Sequence, residues 1–256
     1  MQQKKVLVIV PFPMTESELA GRRAQLDSVN LGPELEFCFR SVKAAPRNYV
    51  SAVDMALADL GIFEAGASAE SEGFDAVCID TMSDSGVNAL RSVLNIPVIG
   101  PGRCSVLTAM MLGNKFSIIT MWQKWRHLYE KTLKDLSLNS ACASIRSIDV
   151  APDNLGLLSG KEDEIFPLLE AEARIAIEQD GADVILLGST TMHQSHSYLQ
   201  EKLDVPVINP GPLTYKLLQA MLGLGLSHSR TAHPTSPVSR MDMITAMMAA
   251  AQRFKH

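Results

Sequence analysis

The chain has 256 residues, of which 46% are apolar and 20% are charged, and its formal net charge is −5. It can therefore form one large domain or two lobes of roughly 100 to 130 residues each. No basic cluster is present and no apolar run approaches the ~18 residues of a membrane span, so neither nucleic acid nor a membrane is expected as a partner. The first residues lead directly into a predicted strand without a signal-peptide pattern, so we expect a cytoplasmic protein that binds a small-molecule substrate.

The first half of the chain alternates predicted strands with predicted helices. Residues 6–10 are a continuous apolar run ending at Pro11, which is typical of a buried strand in a parallel sheet. Residues 49–72 are rich in alanine and are followed by Gly73, which predicts a helix with a glycine C-cap. In this half we predict strands at 6–10, 35–42, 76–79 and 98–99, and helices at 16–29, 49–72, 87–94 and 103–112.

The second half repeats this order of elements. Strands alternating with helices predict parallel sheets that are covered on both faces. The predicted strands of this half are residues 116–120, 144–150, 184–187 and 207–208, and its predicted helices are 124–134, 161–180, 196–203, 213–224 and 241–254.

The chain also contains an internal sequence repeat. Residues 74–81 resemble residues 182–189, and residues 94–102 resemble residues 203–211, at offsets of 108 and 109. A period of this length is too long for a solenoid and indicates two similar halves. We predict an α/β fold of two pseudo-symmetric lobes, with parallel sheets flanked by helices and an active-site cleft between them. The first lobe comprises residues 1–102 and 212–256, and the second comprises residues 103–211.

Four loops are candidate parts of a ligand site, because open α/β sheets bind ligands beyond the carboxyl ends of their strands. Small hydroxyl residues at helix starts are suited to binding a carboxylate or an amide, although the same residues are also common helix N-caps. The loops are residues 11–15, 81–86, 120–125 and 189–193. Their candidate substrate-binding residues are Pro11, Phe12, Ser83, Ser85, Gly86, Thr120, Trp122, Thr190 and Thr191.

The candidate catalytic residues are Thr81, Ser189, Asp80 and His193, which lie at the ends of two repeated strands. Asp80 is either a carboxylate base or an acid that stabilises the strand end. His193 follows Ser189 by four residues and belongs to the residue type that titrates near neutral pH, although this spacing alone does not show a hydrogen bond. No metal site or cofactor is expected, because no third ligand accompanies the histidines and no dinucleotide fingerprint occurs.

These segments resemble a known family. Residues 181–192 are similar to the second signature of the aspartate/glutamate/hydantoin racemase superfamily, and residues 73–86 to the first. Residues 114–120 and 203–210 fit the hydantoin racemase branch, and the resemblance extends from Val6 to about Arg230. It implies a homo-oligomeric, cofactor-independent isomerase that acts at the α-carbon of a small carboxylate- or amide-bearing substrate, including cyclic ones.

The resemblance places the two proton-transfer cysteines of the superfamily at Thr81 and Ser189, and neither is a cysteine here. A thiol can be tuned to form thiolate near neutral pH, whereas an aliphatic hydroxyl needs a helper group. Asp80 or His193 would supply that help. Two alternatives remain open: a lyase or hydrolase that uses these hydroxyls with His193 or Asp80, and a non-catalytic protein that binds a small ligand.

Overall fold

The structure, a computed structural model, describes residues 3–153 and 158–254. Short 3-10 helices lie at Ala24–Ser28, Gln123–Trp125 and Thr190–Ser195. In chain order the strands and α-helices are β1 (Lys4–Val10), α1 (Glu16–Arg23), β2 (Leu35–Ser41), α2 (Ala52–Gly66), β3 (Ala76–Ile79), α3 (Val87–Arg91), β4 (Val98–Ile99), α4 (Pro101–Leu112), β5 (Phe116–Thr120), α5 (Arg126–Leu136), β6 (Cys142–Ser147), α6 (Glu162–Glu178), β7 (Val184–Leu187), α7 (His196–Lys202), β8 (Val207–Ile208), α8 (Pro210–Gly223) and α9 (Met241–Ala251).

The strands of the described residues form two four-stranded parallel sheets with the same topology. The strand order is β2-β1-β3-β4 in one sheet and β6-β5-β7-β8 in the other. Strand β1 is buried over its last five residues, and β5 is buried over its whole length. Their continuous apolar runs predict this burial. The predicted α/β class with parallel sheets is therefore confirmed, and the sequence repeat corresponds to two copies of one sheet.

The chain divides into two compact units. The first unit is Met1–Gly100 together with Thr214–His256, and the second unit is Pro101–Leu213. Helix α8 therefore begins in the second unit and continues in the first. In the core of the first unit, Ile9 of β1 and Val77 of β3 are buried together with Ile62 and Leu90 of the helices α2 and α3.

An aspartate fixes the start of the central strand in each unit. In the first, the backbone N–H of Lys5 donates to Asp75 Oδ2 over 2.8 Å. In the second, the N–H of Lys115 donates to Asp183 Oδ1 over 2.9 Å, and that of Asn114 donates to Asp183 Oδ2 over 2.9 Å. Both aspartates precede the third strand of their sheet, so the repeat extends to the side chains that set strand position.

Helix ends explain where the structure departs from the predicted boundaries. Regular α2 ends at Gly66, and the chain continues as turns to Gly73, whose φ is 85°. There the N–H groups of Phe74 and Gly73 donate to the carbonyls of Ala69 and Glu70, which is the Schellman arrangement that glycine favours.

Two helices begin earlier than predicted. Helix α4 begins at Pro101 instead of residue 103, and α8 begins at Pro210 instead of residue 213. The Gly-Pro pairs at Gly100-Pro101 and Gly211-Pro212 were expected to be turns. Proline is instead the first helical residue, where its missing N–H costs no hydrogen bond and its fixed φ suits the helix.

Among residues 3–153 and 158–254, no helix is both long and apolar enough to cross a membrane.

Candidate active site

A row of hydroxyls follows β3 in the first unit. Thr81 Oγ1 lies 3.3 Å from Ser83 Oγ, which lies 3.0 Å from Ser85 Oγ. Ser83 and Ser85 are almost fully buried, whereas Thr81 is partly exposed. The three hydroxyls form a connected chain, and its two hydrogen bonds use two of the three hydroxyl protons. One proton therefore remains to donate to a ligand.

Gly86 ends this loop in a conformation that only glycine adopts readily. Its φ is 73°, and a Cβ at this position would lie 2.6 Å from Ile62 Cγ2. Its N–H donates to Asp59 Oδ1 over 2.8 Å. Because this N–H is already bonded to a protein acceptor, Gly86 shapes the loop rather than offering a donor to a ligand.

Asp80, which precedes Thr81, is buried and fully engaged by side chains of the α1 region. Its Oδ2 lies 3.4 Å from Arg22 Nη1, and its Oδ1 accepts from Gln25 Nε2 over 3.2 Å. The Arg22 and Asp80 side chains are 2% and 1% exposed. A carboxylate with both oxygens engaged and a buried cationic partner is well suited to fixing the strand end. Arg22 and Gln25 were not among the predicted residues. Arg22 lies three residues from Leu19 on α1, so the two share a helix face, and both are buried.

The loop after β1 is fixed by Tyr49. The Tyr49 hydroxyl donates to the carbonyl oxygen of Pro11 over 2.6 Å, and its ring stacks on Phe12 with centroids 5.3 Å apart. Burial raises the pKa of Tyr49, so it remains a neutral donor. Pro11 is buried and Phe12 is partly exposed, which leaves part of an aromatic ring available at this strand end.

In the second unit, the residues after β7 repeat the hydroxyl pattern. Ser189 caps the 3-10 helix Thr190–Ser195: its Oγ accepts from the N–H of Thr191 over 3.2 Å and lies 2.8 Å from Thr191 Oγ1. Ser189, Thr190, Thr191 and His193 are all buried, at 9%, 3%, 5% and 9% exposure. The structure thus gathers a serine, two threonines and a histidine in two turns of one short helix.

Tyr129 connects this loop to the end of β5. Its hydroxyl donates to the carbonyl oxygen of Gly188 over 2.6 Å and lies 2.7 Å from Thr120 Oγ1. A carbonyl can only accept, so the single phenolic proton goes to Gly188 and Thr120 must donate to Tyr129. Thr120 therefore keeps acceptor capacity but has no proton for a ligand, which differs from the anion-binding role expected for it.

Tyr129 was not among the predicted residues. It lies on the apolar stripe of α5, where burial raises its pKa. A buried phenol usually has a hydrogen-bond partner. Nothing local in the sequence identifies that partner as Gly188, which is 59 residues away.

The predicted tryptophan lies on the same edge of this sheet. Trp122 is partly exposed and contacts Trp125 edge to face, with centroids 6.5 Å apart. Lys124 Nζ lies 4.7 Å from the centroid of the Trp122 ring, within cation–π range. Trp125 is buried and anchors the pair, so Trp122 alone presents aromatic surface.

Comparisons with known proteins identify the family of this chain. The model of the family described as Asp/Glu/Hydantoin racemase matches residues 15–218. The chain belongs to the Asp/Glu/hydantoin racemase family. Hydantoin racemase of Rhizobium meliloti is 32% identical to it over 187 residues, which make up 72% of this chain and 76% of that protein.

Solved structures of allantoin racemases share the fold of this racemase-family chain. The allantoin racemase of Klebsiella pneumoniae is 24% identical, with a TM-score of 0.83 over 93% of this chain and 95% of that one. The allantoin racemase of Pseudomonas fluorescens is 25% identical, with a TM-score of 0.81 over 92% of this chain and 98% of that one. Family membership supports a racemase-type isomerase.

This family member carries hydroxyls at both repeated strand ends. Thr81 follows β3 through Asp80, and Ser189 follows β7 through Gly188. Within the described ranges, no group of three histidine, cysteine, aspartate or glutamate side chains is placed to hold a metal ion.

Proposed function

We propose that this protein is a cofactor-independent isomerase that exchanges the proton on the α-carbon of a small cyclic amide or ureide. Hydantoin and allantoin, named in its relatives, share one five-membered ring in which a C–H lies beside a carbonyl and a ring nitrogen. Removing that proton places negative charge on the carbonyl oxygen. Such a reaction needs a base at the carbon and hydrogen-bond donors at the oxygen.

The observation that carries this proposal is the repeated row of side chains after β3 and β7. At the offset of 108, Thr81, Ser83 and Ser85 correspond to Ser189, Thr191 and His193. The first two positions are hydrogen-bonded hydroxyls in both units. The third position is a hydroxyl in the first unit and an imidazole in the second, so the second unit has the stronger base.

His193 is accordingly the proposed proton-transfer group. A hydroxyl such as that of Ser189 cannot remove a carbon-bound proton unaided, because its conjugate base is scarcely populated at neutral pH. An imidazole titrates in the working range and both accepts and returns a proton. Ser189 and Thr191 share one hydrogen bond between two hydroxyls, so one proton remains to stabilise the enolate oxygen.

Asp80 takes a positioning role in this proposal. Its two oxygens are engaged by Arg22 and Gln25, so it holds the end of β3 and thereby Thr81. A base role for Asp80 would require it to leave a buried cationic partner, which carries a large energetic cost.

Proton NMR in D2O tests the proposal directly. The protein is mixed with L-5-benzylhydantoin, allantoin, L-aspartate and L-glutamate, and the α-proton signal is followed against a protein-free control. We expect loss of the ring C–H signal of the hydantoins at unchanged chemical composition, and loss of this activity in His193→Asn. His196→Asn is the matched control, since His196 bonds to the carbonyl of Val207 through its ring.

The alternatives give different results. New product signals would replace the isomerase assignment with a lyase or hydrolase, and a covalent Ser189 adduct detected by mass spectrometry would support nucleophilic attack. Broadened ligand signals without exchange or products would indicate a binding protein. Exchange that survives in His193→Asn would contradict the role given to His193 while leaving the isomerase assignment intact.

A further inference from the structure

Asn209 stands out among the buried polar side chains of the second unit. It follows β8 directly and is 7% exposed. Its side-chain Oδ1 is enclosed, yet it accepts no hydrogen bond from any described residue. Buried amide oxygens are normally paired, so an unpaired one calls for a specific explanation.

Helix capping does not explain this oxygen. An asparagine before a helix usually accepts from the N–H of the second or third helical residue. Helix α8 begins Pro210-Gly211-Pro212, so the third residue has no N–H at all. The backbone oxygen of Asn209 accepts from the N–H of Leu213 over 3.2 Å, while the side chain caps nothing.

The register of the sheet places Asn209 near the hydroxyl loop. Strands β7 and β8 are paired, with Leu186 opposite Ile208, so Asn209 lies beside Leu187. Ser189 is two residues further along β7. With about 4.8 Å between strands and 3.3 Å per residue, the Cα atoms of Asn209 and Ser189 are about 8 Å apart, a distance that one hydantoin-sized ligand spans.

The corresponding position in the first unit is Gly100, at the offset of 109. There the space next to the glycine is filled by another polar side chain, because a Cβ on Gly100 would lie 2.3 Å from Asp84 Oδ1. The residue of the second unit that corresponds to Asp84 is Met192, which is buried and apolar. A polar oxygen thus lies beside the strand end in both units, supplied by different residues.

We propose that Asn209 determines substrate specificity by accepting a hydrogen bond through Oδ1 from an amide or ureide N–H of the substrate. This inference rests on the proposed function, and it names the part of the ring that the second unit recognises. The χ2 torsion of asparagine is broad, so the side-chain amide can rotate until Oδ1 faces an N–H of the ligand. A carboxylate in the same place has no proton to donate to Oδ1.

Paired substrates and two variants test this inference. The substrates are 5-benzylhydantoin and its two singly N-methylated derivatives, which lack one N–H each. For the wild-type chain we expect proton exchange about 10- to 100-fold slower with one methylated derivative than with the parent, as loss of a buried hydrogen bond predicts. Asn209→Leu keeps the branching of the side chain but has no acceptor, so it should remove this preference. Asn209→Asp keeps an acceptor oxygen and should retain much of it.

Thermal unfolding separates a binding role of Asn209 from a purely structural one. If Asn209 binds substrate, Asn209→Leu only removes an unpaired buried oxygen and should unfold at an equal or higher temperature than the wild type. If Asn209 stabilises the fold, the leucine variant should unfold at a lower temperature. If the leucine variant retains the full preference, or loses the same factor with all three substrates, the inference is wrong. If the wild type exchanges no proton, the proposed function fails. Binding titrations with the same compounds then test the role of Asn209. The wild type should then bind 5-benzylhydantoin more tightly than one of its N-methylated derivatives, and Asn209→Leu should bind them equally. Equal binding of all three compounds by the wild type, or binding of none of them, would contradict the inference.

Discussion

The hydroxyl of Tyr129 donates a 2.6 Å hydrogen bond to the carbonyl oxygen of Gly188, the residue immediately before Ser189. The same hydroxyl accepts from Thr120, so one phenol joins the ends of β5 and β7. Both hydrogen bonds are buried, so water cannot replace the phenol as a partner for the Gly188 carbonyl or the Thr120 hydroxyl. The position of the serine loop therefore depends on a residue of a neighbouring helix.

Tyr129→Phe should destabilise the protein. It leaves the Gly188 carbonyl and the Thr120 hydroxyl without their shared partner, and we expect a loss of about 1–3 kcal/mol in the free energy of unfolding. Urea denaturation followed by circular dichroism measures this loss. Tyr198→Phe is the control, because Tyr198 bonds to Glu170 at a partly exposed site and should cost less. Equal losses in the two variants would contradict the role assigned to Tyr129.

Gly188→Ala should also be destabilising, for a steric reason. An added Cβ would lie 2.8 Å from both Thr120 Cβ and the Tyr129 hydroxyl oxygen. Overpacking of this kind costs about 1–3 kcal/mol. Gly223→Ala is the matched control, since a Cβ there meets nothing within 4 Å and the residue is helical. Thermal unfolding should show a lower midpoint only for the first variant; an unchanged midpoint would show that the strand end has room to adjust.

Arg22→Met should be much more damaging than the loss of a surface arginine. It leaves Asp80 buried without its cationic partner, and removing one member of a buried pair costs about 3–5 kcal/mol. Arg23→Met breaks only an exposed pair with Glu16 and should cost less than about 1 kcal/mol. Adding Asp80→Asn to Arg22→Met should recover part of the stability, because the uncompensated charge is removed. Strict additivity in a urea-denaturation cycle would show that the two residues do not interact.

The second unit should lose stability in acid through Asp183. Backbone N–H groups, that of Asn114 first, hold the pKa of its carboxyl below the usual value of 3.8. A carboxyl with a lowered folded-state pKa contributes stability above its unfolded pKa, and this contribution disappears as the pH falls through the folded value. We expect Asp183→Asn to destabilise the protein at pH 7 and the difference from the wild type to shrink below about pH 4. A difference that stays constant between pH 7 and pH 3 would exclude this linkage.

Restoring thiols should increase proton exchange if Thr81 and Ser189 stand at the proton-transfer positions. A cysteine thiol loses its proton far more readily than a hydroxyl, so the double variant Thr81→Cys, Ser189→Cys should exchange hydantoin α-protons faster than the wild type. Exchange in D2O measures the rate, and Ser195→Cys, at a buried serine outside the proposed reacting pair, serves as the control. A slower double variant would indicate that the hydroxyls act in their own right.

The sequence by itself determined that strands alternate with helices along the chain and where most strands lie. Buried parallel strands require continuous apolar runs, and β3, β4, β5, β7 and β8 lie where those runs predicted them. The repeat of residues 74–81 at 182–189 also indicated two similar sheets, because backbone hydrogen bonding and strand burial depend on local pattern. The helix starts at Pro101 and Pro210 were predicted wrongly, at residues 103 and 213, because an X-Pro pair suits both a turn and a first helical turn.

Only the tertiary structure decided which polar side chains meet. Asp80 is joined to Arg22 across 58 residues, and Tyr129 to Gly188 across 59. Among the described residues, none donates a hydrogen bond to Asn209 Oδ1, and the pairing of β8 with β7 places this residue beside Leu187. A helix face shows that a side chain is buried, but the packing of helices against the sheet determines its partner, and that packing depends on the whole core rather than on any local segment.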